Sequence, residues 1–206
     1  VSRVRVGVIG LGEVAQIIHL PILNMMRDRY EIAALCDVSP ALLQAVGDEY
    51  GVEARYTDAA DLARHDLDAV FVLNSDEYHA EHTILAINAG KHVLVEKPMC
   101  LTPREADEII AARDAAGVQV MVAYMRRFAP AFTEAVEQVR QLEKINYARV
   151  RDIIGQNALI IEQATDIHRF DDIPEAAKAD RTERAKALVT EAIGEAPPEL
   201  VRAYRM

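Results

Sequence analysis

Short apolar runs alternate along the first 124 residues with stretches whose apolar positions recur at helical spacing. "VRVGVIG" (Val4–Gly10), "YEIAALCD" (Tyr30–Asp37), "AVFVL" (Ala69–Leu73), "HVLV" (His92–Val95) and "VQVMVAY" (Val118–Tyr124) read as strands. Helices are predicted between them over Val14–Arg27, Pro40 to about Tyr50, Asp58–Ala63 and His79–Ala89, the last stopped by Gly90. A further helix opens at Thr102 and closes at Gly117. Thr102 suits an N-cap, Pro103 the first helical position and Glu105 the third. Strands and helices alternating at these lengths imply parallel pairing with right-handed crossovers. The expected class is therefore α/β, built on a doubly wound parallel sheet.

After Tyr124 the rhythm changes. Ala129 to about Glu143 reads as a helix, "INYARVRDIIG" (Ile145–Gly155) as one long strand, and Pro174–Ile193 and Pro198–Met206 as helices. A lone strand cannot make a sheet, so a second domain here borrows partners or is incomplete. The chain also stops in mid-helix without a cap, which reads as a fragment. The expected division is a first domain over 1–124 and part of a C-terminal α/β domain over 125–206. No repeat or low-complexity tract interrupts either part.

Composition narrows the function classes. Apolar residues make up 51% and charged residues 27% of the 206, which suits a folded core. A formal charge of -10 is the wrong sign for binding nucleic acid through its phosphates, and the pair Arg126-Arg127 is too short for a basic patch. No apolar run approaches the ~20 residues that span a bilayer. The N-terminus enters a strand with no secretory h-region. Cys36 and Cys100 have neither metal-ligand nor redox spacing and read as reduced and structural. A cytoplasmic protein without nucleic-acid or membrane partners is expected.

Chemistry gathers where strands end. The first strand runs into "GLGEVA", the G-x-G-x-x-A form of the dinucleotide fingerprint. Gly10 permits the tight turn, Gly12 lets backbone approach a pyrophosphate, and small Ala15 lets helix pack on strand. Glu13 and Val14 complete the turn, where a helix N-terminus offers free N–H groups and positive dipole to phosphate. Asp37 ends the second strand 22 residues past Ala15, close to the ~20 expected of a carboxylate that accepts from ribose hydroxyls. That acid repels a 2′-phosphate and no arginine follows in "DVSPA", so NAD is favoured over NADP. The strand His92–Val95 runs into Glu96, Lys97 and Pro98, at the edge where α/β sheets bind ligands.

With this fingerprint, "HLPIL" in the first helix, "NSDEYHAEHTILAINAGKHVLVEKP" and "VMVAYMRRFAPAF", the chain resembles the Gfo/Idh/MocA oxidoreductase family over about residues 4–155. The resemblance implies an NAD(P)-binding Rossmann domain followed by a C-terminal domain with an open, mostly antiparallel sheet. It implies hydride transfer at a hydroxyl- or carbonyl-bearing carbon of a sugar, inositol or related polyol, and a homo-oligomer. It places Lys97 beside the nicotinamide, against the substrate oxygen, as the acid–base group. Glu96 then contacts the nicotinamide ribose, and Pro98 fixes the turn that aims the lysine. Asn74 and Ser75 line the cofactor groove, although the family more often has proline at Ser75. His79 matches a family histidine near the cofactor. Arg126 and Arg127 match the family's arginine pair, with Arg127 toward cofactor and Arg126 and Tyr124 toward substrate.

The pattern breaks in the second half. The family's catalytic histidine has one candidate, His168 in "ATDIHRFDDIPEA", and the glycines that should precede it are missing. His79 and His82 stand three apart without a third ligand, so no metal is expected. His19 and His92 read as packing residues. The alternative to an enzyme is a non-catalytic NAD-binding regulatory or redox-sensing protein, or an inactive fragment.

Overall fold

The computed structural model describes residues 2–151 and 166–204. Six parallel strands, β1 (Val4–Ile9), β2 (Tyr30–Cys36), β3 (Arg55–Tyr56), β4 (Ala69–Val72), β5 (His92–Val95) and β6 (Val120–Val122), form one sheet. Their order is β3-β2-β1-β4-β5-β6. It reverses direction between β1 and β4, the position where a doubly wound sheet opens a crevice at its carboxyl edge. β3 is a two-residue edge strand that the hydrophobic pattern did not announce. β6 is shorter than the predicted Val118–Tyr124.

The helices are α1 (Leu20–Met25), α2 (Pro40–Tyr50), α3 (Ala59–Ala63), α4 (His79–Asn88), α5 (Pro103–Ala116), α6 (Pro130–Arg140), α7 (Glu175–Ile193) and α8 (Pro198–Tyr204). Two apolar clusters cover the two faces of the sheet. Val6, Val8 and Leu35 pack with Leu20, Leu23, Leu43 and Val46 from α1 and α2. Ile9, Val70, Val72, Val93 and Val95 pack with Leu62, Ile87 and Ile109 from α3, α4 and α5. Alternate residues of β1 thus serve opposite layers, as the pleat requires.

Local chemistry explains the helix ends. Thr102 Oγ1 accepts from the Glu105 N–H at 3.2 Å, and Glu105 Oε2 accepts from the Thr102 N–H at 3.1 Å, the capping box expected there. The predicted helix over Val14–Arg27 is instead interrupted. Ala15–His19 is a π-turn in which the Leu20 N–H reaches back to Ala15 O. Pro21 explains it: proline has no N–H for the carbonyl four residues back, and its ring crowds that carbonyl.

Two compact units result, Val1–Ala123 with Ile167–Met206, and Tyr124–Asp166. This differs from the single cut expected after residue 124, because α7 returns to the first unit and buries Ala185, Leu188 and Val189 there. Within the second unit, Met125–Phe128 is a 3₁₀ turn and α6 buries no residue. Of the strand expected over Ile145–Gly155, residues 145–151 are exposed and carry no ladder, as an unpaired strand must. The remainder lies outside the described residues. Among the described residues no helix is long and apolar enough to cross a membrane.

Candidate dinucleotide site at the sheet switch point

The chain leaves β1 at Gly10 with φ +90°. A Cβ at Gly10 would stand 2.5 Å from the backbone of Asn74, so glycine alone lets the ends of β1 and β4 meet this closely. At Gly12 a Cβ would meet nothing within 4 Å. The backbone there faces open space, the cradle a pyrophosphate needs. Ala15 is fully buried against the sheet, Val14 is half-buried, and Glu13 is exposed, paired with Arg169 at 2.9 Å.

Asp37 ties this turn to α2. Its Oδ2 accepts from the Leu11 N–H at 2.8 Å and its Oδ1 from the Ser39 N–H at 2.9 Å. Each oxygen keeps a lone pair, enough to accept from a ribose hydroxyl. Burial raises its pKa, with the Asp172 charge adding to the rise, against the backbone N–H groups that favour the anion. Neighbouring Cys36 has its thiol pushed up to about 12, first by burial and then by Asp37, so it is inert.

On the other side of the crevice, Asn74 donates through Nδ2 to His82 Nδ1 at 2.9 Å. Burial lowers the pKa of His82, which keeps that nitrogen free to accept. Asn74 Oδ1 is buried without a partner among the described residues. An orphaned acceptor in a crevice is what a ligand hydroxyl or amide would satisfy. Ser75 lies beside it, half-buried. His79 sits behind the strand ends. It is fully buried, with Nδ1 2.6 Å from Pro98 O and Nε2 3.0 Å from Asn74 O, and so clamps the ends of β4 and β5 together.

At the end of β5, Glu96 is buried and Lys97 exposed. Glu96 Oε1 meets His19 Nε2 at 2.8 Å, and its Oε2 accepts from the Lys97 N–H at 3.0 Å. Burial pushes the Glu96 carboxyl up, but His19 and the Lys97 N–H outweigh it and the net pKa is lowered. The Lys97 side chain is exposed, with the Glu96 carboxylate as its charged neighbour. His19, expected only to pack, therefore also anchors Glu96. Its sole sequence signal was its place in "HLPIL".

Tyr124, Arg126 and Arg127 belong to the second unit, where all three are exposed. His168 exchanges bonds with Gln16 and places Nε2 3.1 Å from Glu49 on α2. Among the described residues no group of three or more His, Cys, Asp or Glu is placed to hold a metal.

The crevice is a cavity of about 490 Å³. Gly10, Gly12, Asp37, Asn74 and Ser75 line its sheet side, and Phe170, Ile173 and Arg181 its other side. That volume falls in the range of sites for nucleotide-sized ligands. Nothing local in the sequence linked the 167–184 segment to strand ends more than 90 residues earlier.

Comparison with known proteins agrees with this geometry. The sequence profile of the Gfo/Idh/MocA oxidoreductase family, with its NAD-binding Rossmann fold, matches residues 4–124. The chain is 34% identical over 139 residues to D-glucoside 3-dehydrogenase of Escherichia coli, covering 67% of this chain and 39% of that protein. It is 34% identical over 162 residues to inositol 2-dehydrogenase of Paracoccus denitrificans, covering 75% and 48%. Scyllo-inositol dehydrogenase from Lactobacillus casei, solved with NAD(H) and scyllo-inositol, superposes with a TM-score of 0.64 at 30% identity, over 68% of this chain and 42% of that one. The chain spans less than half the length of these relatives.

Proposed function

The chain belongs to the Gfo/Idh/MocA oxidoreductase family, and on that premise we propose that it holds NAD(H) at the switch point and serves oxidation of a sugar- or inositol-like polyol. The observation that carries this reading is the convergence of an open glycine turn, Asp37 and an unpartnered Asn74 Oδ1 on one cavity. Bound NAD would supply the hydride acceptor at its nicotinamide. Asp37 would accept from the adenosine ribose, and the backbone over Gly12 would admit the pyrophosphate.

Lys97 is the acid–base residue of this proposal. At the strand end where the sheet presents ligands, its ammonium stabilises an alkoxide, or its neutral amine takes the hydroxyl proton as the carbon is oxidised. Glu96, anchored by His19, fixes the backbone N–H of Lys97 and keeps a negative charge beside the ammonium. The substrate carbon skeleton would be chosen by the rest of the protein, as would any oligomer contact; the inositol and glucoside names of the relatives point to a polyol.

The test is steady-state turnover with a panel of inositols and glucosides, followed by nicotinamide absorbance. Lys97→Ala is expected to lower kcat by about 10²–10⁴-fold while leaving NADH affinity within about threefold. Unchanged kcat removes Lys97 from the chemistry. With His168 Nε2 taken up by Glu49, a chain that binds NADH but turns over no polyol favours the second reading, a non-catalytic NAD-binding module.

A further inference from the structure

The donors just beyond Asp37 are already occupied by the protein's own acid. Ser39 is 2% exposed; its N–H bonds Asp37, and its hydroxyl donates to Asp172 Oδ1. The other Asp172 oxygen accepts from the Ala41 N–H at 2.7 Å, in the first turn of α2. Both bonds hold Asp172 as the anion, with its pKa lowered. Two carboxylates, Asp37 and Asp172, therefore flank one serine at the adenosine end of the cavity.

The segment carrying Asp172 is fixed at both ends. Before it, the His168 N–H bonds Gln16 Oε1 at 2.9 Å, and Arg169 pairs with Glu13 beside the glycine turn. After it, Arg181 pairs at 3.0 Å with Glu77, whose side chain is 5% exposed, and Tyr78 donates to Asp180 at 2.6 Å. Phe170 and Ile173 on either side of Asp172 line the cavity.

We propose that Asp172 is a specificity-determining residue that restricts this cavity to adenine dinucleotides lacking a 2′-phosphate. The inference rests on the NAD reading above and adds to Asp37 a second determinant from the far end of the chain. A ribose held by Asp37 directs its 2′ substituent toward the next donors, the Ser39 hydroxyl and the Ala41 amide. Asp172 holds both, so a phosphate there would lose those donors and face a second anion. A 2′-hydroxyl is uncharged and pays neither cost.

The test is calorimetric titration of NADH and of NADPH into the 206-residue chain and into Asp172→Ala and Asp172→Asn. The wild-type chain is expected to bind NADH at least about tenfold more tightly than NADPH. Asp172→Ala should narrow that ratio by about tenfold, through tighter NADPH, with NADH affinity within about threefold. Asp172→Asn removes the charge but keeps an acceptor for Ala41, and should narrow the ratio part of the way. An unmoved ratio in both variants overturns the proposal, including the case where both nucleotides weaken equally because the residue only holds the segment down. A wild-type chain that binds neither nucleotide overturns the dinucleotide reading itself, a result distinct from tight NADH with an unmoved ratio.

Discussion

At the scale of single residues, the site depends on a few side chains whose neighbours hold them in one state. Glu96 has the clearest consequence. Its folded pKa lies below the ordinary 4.5, so the stability it contributes is present above that value and is lost as pH falls through the lowered one. The raised carboxyl of Asp37 works in the opposite sense: its burial costs stability when ionised, and acid relieves that cost. Comparison with His19→Ala isolates Glu96, since the variant loses the bond that lowers its pKa. Urea denaturation across the acid range should show the gap between wild type and variant shrinking as pH drops below 4.5. A gap constant with pH contradicts that role for the pair. Legibility differed at this scale. The tight turn at Gly10 was legible, because its close approach to Asn74 and positive φ demand glycine. His79 was not: the sequence marked it as special, but only the structure shows two carbonyls occupying its ring in the core.

At the scale of elements, the apolar periodicity placed most strands and helices, and the Thr102/Glu105 box was readable residue by residue. Three things were not. β3 has two residues, too few to carry a period. The π-turn over Ala15–His19 reflects Pro21 acting on a helix that otherwise looks continuous. The docking of α7 depends on partners with no local signature, among them Glu77 with Arg181 and Arg104 with Glu191. The first of these pairs makes α7 testable. Arg181→Ala leaves the Glu77 carboxylate buried and without its cation, and should cost about 1–3 kcal/mol in urea denaturation at neutral pH. A change below about 0.3 kcal/mol means that the exposed side of the pair is fully replaced by water.

At the scale of the whole molecule, one topological fact organises the site. The sheet reverses its order between β1 and β4, which leaves a crevice at their carboxyl ends. Gly10 brings those two ends together, Asp37 lines the crevice beyond β2, His79 ties β4 to β5, and Lys97 follows β5. Phe170, Ile173 and Arg181 line its other side. The central claim is that this crevice is a dinucleotide site, and Gly12 tests it most directly. A Cβ there touches nothing, so Gly12→Val should leave the melting temperature within about 2 °C while filling the space a pyrophosphate needs. Calorimetric titration of NADH into the wild-type chain and Gly12→Val is therefore the decisive measurement. The expected result is saturable binding to wild type, weakened at least about tenfold in the variant at unchanged melting temperature. Equal binding by both proteins, or none by the wild type, would contradict it.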